Sequence, residues 1–295
     1  MKHNIKITIL ILTLFLLAQF FGLAVIYKYI DQEKTLAAGK TEFKQLPIGE
    51  RPPVEEKTSF IPIMIAILFG TVLLLVLIKF QLNFVWKGWF LIAVVLSLAV
   101  SLGAFMPTII AFLLALLFGI WKIFRPNFWI QTITEVVIYG GLAAIFVPML
   151  NIMSVSILLI LIAIYDAYAV WKSKHMITLA KSQAQARIFA GLLVPYKDGH
   201  VLTHKVKQDI TPKKHLKVRT AVLGGGDIGF PLIFAGVILK EIGLWQSLII
   251  PFFSMLGLAF LLWYGNEHKF YPAMPFIGAG CFLGLAIVWL LQILF

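Results

Sequence analysis

Long hydrophobic runs, separated by short polar connections, dominate this chain. A helix needs about 20 apolar residues to cross a bilayer, and each run is near that length. The runs lie at about 5–27, 59–78, 88–105, 107–124, 130–150, 153–171, 219–239, 243–264 and 272–294. Only Met106, Pro107 and Thr108 separate the third run from the fourth, and Pro107 suits the start of a helix after a tight turn. The pattern predicts an all-α, polytopic membrane protein with nine transmembrane helices.

The composition agrees with lipid as the surrounding solvent. Hydrophobic residues make up 61% of the 295 positions and charged residues only 13%, and the mean hydropathy is +0.96. The longest polar segment is short for an independent fold. We therefore expect a single membrane domain over residues 1–295, with spans one to six at about 5–171, a cytoplasmic loop at about 172–217 and spans seven to nine at about 219–294.

The distribution of positive charge predicts the orientation of the spans. If the N-terminus is cytoplasmic, the outward connections at 103–107 and 148–153 contain no Lys or Arg, and the six basic residues of segment 28–58 are accompanied by six acids. The inward 172–217 loop has ten basic residues and two acids, which suits anionic lipid headgroups rather than nucleic acid. We therefore expect a multi-pass protein of the cell membrane with its N-terminus cytoplasmic and its C-terminus outside. The first run is expected to stay in place as a signal anchor.

Three of the thirteen acidic residues fall inside the expected spans: Glu135, Asp166 and Asp227. A carboxylate at the bilayer centre costs at least about 2.5 kcal/mol, so each of them needs a physical reason. Glu135 lies near the cytoplasmic start of the fifth span, where a carboxylate can reach the interface and favour the helix N-terminus. That interpretation suffices for Glu135 but not for the two aspartates.

Asp166 and Asp227 are expected at matching depths on neighbouring antiparallel spans. With a rise of ~1.5 Å per helical residue, both lie on the order of 10 Å below the cytoplasmic boundary. Two carboxyls close together in a low dielectric share a proton, because they do not both ionise readily. One can then activate water while the other protonates or polarises a peptide carbonyl, which is the chemistry of aspartic proteases.

The neighbouring residues fit the same chemistry. Gly224–Gly226 remove side chains just before Asp227, so that a substrate backbone can approach. Tyr165 adds a hydroxyl and an aromatic wall beside Asp166. The segment 272–275 opens the ninth span with two prolines, and therefore with two missing N–H donors, around one small residue.

Three short motifs together resemble those of the presenilin and signal peptide peptidase family. Tyr165-Asp166, Gly224-Gly225-Gly226-Asp227 and Pro272-Ala273-Met274 resemble the YD, GxGD and PAL motifs of that family. The stretch 165–179 resembles microbial presenilin homologues in particular. The likeness extends over spans six to nine, whereas the first five spans match only in number and hydrophobicity. Met274 stands where the family motif has leucine, which is a volume-conserving exchange.

The resemblance implies a presenilin-like fold and an intramembrane-cleaving aspartyl protease without a metal or other cofactor. Its substrates would be single-span transmembrane helices, and Asp166 and Asp227 would be the catalytic pair. The residues that shape the site and bind substrate would be Tyr165, Gly224, Gly226, Pro272, Ala273 and Met274. Presenilins have a cytoplasmic N-terminus, so the charge count implies substrates whose own N-terminus is outside. The oligomeric state is left open.

Other functions fit parts of the pattern. A proton-coupled transporter could use the two aspartates as a relay and Gly224–Gly226 as the break in a discontinuous helix, but the number of spans is odd and no repeat is visible. An inactive relative would keep the fold without the chemistry. The HExxH motif of zinc proteases and the GxSG motif of rhomboid-like serine proteases are absent from the sequence, and His200 and His204 lie in a basic loop without further ligands.

Cleavage inside a membrane also requires partners for the substrate backbone. A helical substrate must unwind locally, which leaves its amide groups unpaired in lipid. Segments 200–210 and 215–223 are rich in β-branched residues. We predict that they form short strands that pair with an extended substrate, with a solvated basic linker as the alternative.

Overall fold

The computed structural model describes residues 4–49, 51, 53–125, 127–172, 190–197, 200–201, 219–266 and 271–294. The chain is mostly helical (78%). Within the described residues, seven helices are long and apolar enough to cross a membrane, and the apolar helix Thr108–Phe124 is shorter. The expectation of a mainly helical, multi-pass membrane protein is confirmed.

The helices follow the hydrophobic runs. They are α1 (Ile5–Tyr29), α2 (Gln32–Ala38), α3 (Phe60–Lys79), α4 (Asn83–Gly103), α5 (Thr108–Phe124), α6 (Phe128–Phe146), α7 (Ile152–Trp171), α8 (Gly225–Glu241), α9 (Leu244–Ser247), α10 (Ile249–Tyr264) and α11 (Met274–Leu294). Each of the nine apolar runs contains at least one helix. The count of nine spans stays a prediction, since α8, for example, has only 17 residues.

Polar residues in the short connections explain why helices begin where they do. Asn127 precedes α6, and its side chain accepts a hydrogen bond from the N–H of Ile130 at 2.7 Å. Asn151 precedes α7 and forms a capping box with Ser154, in which each side chain accepts from the other residue's backbone N–H. Such caps satisfy N–H groups that have no partner within the helix. They fix the starts of α6 and α7, and thereby the depth of the residues that follow.

Helix α8 forms the centre of the bundle. It is buried at every position from Pro231 to Leu239 and packs against α1, α6, α7, α10 and α11. The Leu232 side chain occupies the space that a Cβ at Gly22 of α1 would need. The side-chain amide of Gln19, also on α1, donates to the carbonyl of Ile228 at 2.8 Å. A helix that is apolar on all sides is therefore enclosed here by protein rather than by lipid.

Helix α3 lies at the edge of the bundle. Among its residues only Ile63 and Leu77 are buried, and its main contacts are with α7 and α4. The aromatic ring of Phe69 is 66% exposed. An apolar helix with so few protein contacts has its surface available to lipid chains.

A small antiparallel sheet accompanies the helices. Its strands are β1 (Gly191–Lys197), β2 (His200–Val201) and β3 (Arg219–Gly224), in the order β2-β1-β3. Strand β1 pairs with β3 from Gly191 opposite Gly224 to Tyr196 opposite Arg219. Leu192, Val194 and Tyr196 alternate along β1 and are all buried. One face of the sheet therefore packs on the bundle, as the two-residue period of a strand requires.

The sheet corrects two expectations. The seventh run does not begin as a helix at residue 219, because residues 219–224 form β3 and α8 starts only at Gly225. The all-α class is likewise too simple, although the chain is mostly helical. The expected strand over 215–223 is found for its described part, and the one over 200–210 for its first two residues; residues 202–210 and 215–218 lie outside the described part. Strand β1 was not predicted.

The connection between α1 and α3 is tied to the end of α8 that lies away from the sheet. The Thr41 hydroxyl donates to the carbonyl of Lys240 at 2.7 Å. The Lys240 ammonium lies 2.9 Å from the carboxylate of Glu56 and donates to the carbonyl of Leu150 at 3.0 Å. The connection is thus anchored to the loops at this end of the bundle.

Candidate active site

Asp166 lies within two turns of the end of α7 and is 7% exposed. The neighbouring residue Tyr165, which was expected to line the site, is partly buried. The Asp166 carboxylate oxygen Oδ2 accepts a hydrogen bond from the backbone N–H of Met274 at 3.1 Å. The backbone N–H of Ala273 also donates to Asp166. An aspartate that the sequence places inside an apolar helix is thus bonded by residues 107 and 108 positions further along the chain.

The partners of Asp166 come from the entry of α11. The first N–H groups of a helix have no partner within it and bind anions well. Pro272 and Pro275 have no N–H group. Ala273 and Met274 are therefore the only donors in this four-residue segment, and both of them donate to Asp166. Every backbone N–H group that this segment has is therefore used by Asp166, and the two prolines leave no further N–H group in it without a partner. This is a physical reason for the composition of the segment.

Asp227 lies in the first turn of α8 and is partly buried. A carboxylate is favourable there because it faces the positive end of the helix dipole. Gly224 precedes the helix, and a Cβ at this position would lie 3.1 Å from Asp227 Oδ2. Gly226 is exposed, and a Cβ there would meet only the ring of Phe230. The glycines therefore leave room beside the Asp227 carboxylate and along the first turn of α8.

Three packed helices carry these segments. Helix α7 with Asp166 packs against α8 with Asp227, and α11 packs against both of them. The sheet lies at the same end, because β3 ends at Gly224 where α8 begins, and β1 also contacts α8. The Ile152 N–H at the start of α7 donates to the Glu241 carboxylate at the end of α8, so the two packed helices run antiparallel. Both carboxyls, the backbone donors of α11 and the end of β3 therefore lie toward the same end of the bundle. These are the groups that hydrolysis of an extended peptide requires: an acid, a base and partners for the substrate backbone.

A comparison with models of known protein families identifies the family of this chain. The model of the signal-peptide peptidase and presenilin aspartyl protease family matches residues 38–293. The chain belongs to this family. It is an intramembrane aspartyl protease, and nothing supports the transporter alternative.

The fold of the protease agrees with this assignment. Two solved structures of a presenilin family intramembrane aspartate protease, one in the C222 and one in the P2 space group, are similar to it with TM-scores of 0.62 and 0.61. Both are 21% identical in sequence to the chain. The likeness covers 96% of this chain and 99% of the first structure, and 95% and 96% for the second. No curated protein sequence matches the chain significantly.

The interpretation of Glu135 as an interfacial carboxylate is wrong. Glu135 lies on α6, and its side chain is only 2% exposed, as is that of Lys122 on α5. The Lys122 ammonium and the Glu135 carboxylate are 2.5 Å apart, and the hydroxyl of Tyr139 donates to the other carboxylate oxygen. The direction of the side chain, toward α5 and the protein interior, differs from the expected direction toward the interface. The polar residues at 131, 135 and 139 share one face of α6, and that spacing was the available signal.

Proposed function

We propose that Asp166 and Asp227 are the catalytic pair of this protease. The observation that carries the proposal is the pairing of Asp166 with the backbone donors of Ala273 and Met274, since it explains an otherwise costly carboxylate inside an apolar helix. The Met274 N–H holds Oδ2 of Asp166, and Asp227 is carried by the adjacent helix α8. The two groups share one proton.

In the proposed mechanism, one carboxylate accepts a proton from a water molecule, which attacks the carbonyl carbon of the scissile peptide bond. The other carboxyl donates its proton to the carbonyl oxygen, which gives a gem-diol. When the C–N bond breaks, the proton taken from water passes to the leaving amine, and a gem-diol hydroxyl returns one proton to the pair as the carboxylic acid product forms. Tyr165, Gly224, Gly226 and Pro272 shape the site around the substrate backbone. The substrate is a single-span transmembrane helix that has unwound locally.

Strand β3 is proposed to receive the unwound substrate. One edge of β3 pairs with β1, and its other edge has no strand neighbour among the described residues. Such an edge offers N–H and C=O groups in a row, which compensate the amides that the substrate loses on unwinding. Gly224 links β3 to α8, so a substrate strand on this edge runs toward Asp227.

The same proposal includes the arrangement in the membrane. The chain forms one membrane domain with nine spans, in which α5 and α8 complete the set of seven longer helices. The N-terminus lies in the cytoplasm of the cell and the C-terminus outside the cell membrane, because the basic connections then face inward. The sheet and the start of α8 lie on the cytoplasmic side. Substrates accordingly have their N-terminus outside.

Cleavage by the purified protein tests the catalytic pair. Asp166→Ala and Asp227→Ala should each abolish cleavage of a transmembrane peptide in liposomes, with unchanged expression and melting temperature. Glu33→Ala, which removes an exposed carboxylate from α2, is the matched control and should cleave like the wild type. An inhibitor with a hydroxyl in place of the scissile carbonyl should block the wild type. Turnover near the wild-type rate in either aspartate variant contradicts the assignment.

A proline scan tests the strand edge. Successive N–H groups of a strand point to opposite edges, so Ala221→Pro and Val222→Pro remove donors from different edges of β3. One variant should weaken the pairing with β1, whereas the other should slow cleavage and leave that pairing intact, as followed by amide hydrogen exchange. If the variant with intact pairing cleaves normally, the substrate does not use this edge.

A further inference from the structure

A cluster of buried polar residues lies beside the sheet, on α5 and α6. Lys122 Nζ is 2.5 Å from Glu135 Oε1, and the Gln131 side-chain amide donates to the same oxygen at 3.1 Å. Tyr139 donates to Glu135 Oε2. Both oxygens of the carboxylate are therefore occupied. Gln131, Glu135 and Tyr139 follow one another at intervals of four residues and form a row along α6.

One end of this row contacts β1, the strand paired with β3, and the other end contacts the start of α8, which carries Asp227. At one end, Gln131 Nε2 donates to the carbonyl of Gly191 at 3.1 Å. Gly191 is the first residue of β1, is paired with Gly224 of β3 and has a φ of 144°, which residues with a side chain rarely adopt. Gln131 therefore bonds to a backbone position that favours glycine, directly opposite the end of β3.

At the other end, the Tyr139 hydroxyl lies against Gly225. A Cβ at position 225 would be only 2.8 Å from the Tyr139 oxygen. The Gly225 N–H donates to the carbonyl of Ala190 at 3.0 Å, so that the same short stretch of backbone is fixed from two directions. Asp227 follows two residues later. The position of the Tyr139 hydroxyl is thus transmitted to the first turn of α8 through direct contact.

A buried ion pair adds little net stability to the packing of two helices. Removing both charges from water costs several kcal/mol per ion, and apolar residues of the same size often replace such a pair without loss of stability. Packing between α5 and α6 therefore does not account for Lys122 and Glu135. A fixed carboxylate that accepts from Tyr139 and Gln131 does account for them, because it locks the rotamers of both side chains.

We propose that Tyr139, held by the Glu135–Lys122 pair, is a positioning residue for Asp227, and that Gln131 holds β1 in the same way. The inference rests on the proposed catalytic role of Asp227. Without the hydroxyl, the first turn of α8 shifts by a fraction of an ångström away from the geometry of the reaction. Such a shift lowers kcat far more than it changes KM, because substrate binding uses the strand edge rather than the proton-sharing pair.

Tyr139→Phe tests this, because it removes one oxygen and keeps the ring. We expect kcat for a transmembrane peptide to fall by about 10- to 100-fold, with KM nearly unchanged and the melting temperature within about 3 °C of the wild type. The matched control is Tyr29→Phe. Tyr29 is also a buried tyrosine whose hydroxyl makes one hydrogen bond, to the Val100 carbonyl at 2.7 Å on another part of the bundle. Its loss should leave kcat unchanged.

A double variant tests whether the contact between Tyr139 and Gly225 affects catalysis, because kcat should then rise when the second substitution is added. Gly225→Ala alone places a methyl group against the Tyr139 oxygen and should lower kcat strongly. Adding Tyr139→Phe removes the oxygen and should restore part of the activity, so that the double variant exceeds Gly225→Ala. If the two losses simply add, or if Tyr139→Phe has the kcat of the wild type, Tyr139 does not position the site.

Amide hydrogen exchange separates this inference from the proposed function. Residues 190–197 and 219–225 should exchange faster in Tyr139→Phe than in Tyr29→Phe, whether or not the protein cleaves the chosen peptide. Cleavage that survives Asp227→Ala overturns the catalytic assignment and leaves the exchange result to decide on Tyr139. Unchanged exchange in these two segments overturns the positioning role even where Asp227 is essential.

Discussion

Helices α3 and α8 are both apolar on all sides, but their surroundings in the fold are opposite. In α3 only Ile63 and Leu77 are buried. Helix α8 is enclosed from Pro231 to Leu239 by five other helices. Lipid chains and protein interiors are equally good solvents for apolar side chains, so hydrophobicity does not distinguish the two positions.

Small residues mark the difference between the two helices. At Gly236 of α8 an added Cβ would lie 2.6 Å from Val147 and 2.7 Å from Ile26. At Gly70 of α3 an added Cβ would meet nothing within 4 Å. Close approach of backbones replaces the hydrophobic effect as the source of helix association within a bilayer. The comparison teaches that packing, and not apolar character, places α8 in the centre.

The largest expected difference between the helices concerns an aromatic ring. Phe234 of α8 is 0% exposed and packs edge-on against Phe282 at 5.6 Å, whereas Phe69 of α3 is 66% exposed. Phe234→Ala should lower the free energy of unfolding by about 3–5 kcal/mol, because it opens a cavity. Phe69→Ala should change it by less than about 0.5 kcal/mol. Unfolding in mixed detergent micelles measures both, and equal losses would contradict the comparison.

Substitutions of one glycine in each helix should change the stability of the protein in opposite directions. Gly236→Ala should destabilise the protein by about 1–3 kcal/mol, because the new methyl group forces Val147 and Ile26 apart. Gly70→Ala meets no neighbour and should stabilise α3 by up to about 1 kcal/mol through its helix propensity. Melting temperatures of the two purified variants check the signs. A stabilising Gly236→Ala would show that α8 is packed less tightly than these distances indicate.

The smallest expected effect concerns one hydrogen bond to α8. Gln19→Leu removes the donor to the Ile228 carbonyl and should cost about 0.6–1.7 kcal/mol, the range for polar contacts between membrane helices. The control is Gln292→Leu on α11, where the residue is exposed and no change is expected. Detergent-induced unfolding, followed by tryptophan fluorescence, measures the stability of both variants. A neutral Gln19→Leu would mean that packing alone holds α1 against α8.

The sequence predicted some features of the fold and missed others for identifiable reasons. The hydrophobic runs located the helices because about 20 apolar residues leave few alternatives in a membrane. The start of α8 was misplaced because the hydrophobic run was taken to be helical from residue 219, although its first residues also belong to the strand predicted over 215–223. Strand β1 was missed because its partner β3 lies far along the chain: the paired residues are 33 positions apart at Gly191 and Gly224, and 23 apart at Tyr196 and Arg219.

In the candidate site, too, the sequence predicted some features and missed others. Asp166, Asp227 and the segment 272–275 stood out by their chemistry, since charged residues and paired prolines are rare in spanning helices. That Ala273 and Met274 donate to Asp166 followed only from the packing of α11 against α7. Glu135 was misjudged because its partner Lys122 belongs to another helix. The spacing of residues 131, 135 and 139 indicates a shared polar face of α6, but it does not show which helix packs against that face.

The sequence by itself determined that the chain is a helical membrane protein and that two aspartates in it require an explanation. Both conclusions follow from the free energy of transferring each residue between water and lipid, which is a local property. Tertiary structure alone decided which apolar helix lies in the centre, which amides hold Asp166 and which buried charge supports Tyr139. These depend on distances between segments far apart in the chain, and such distances are set by the simultaneous packing of all the helices.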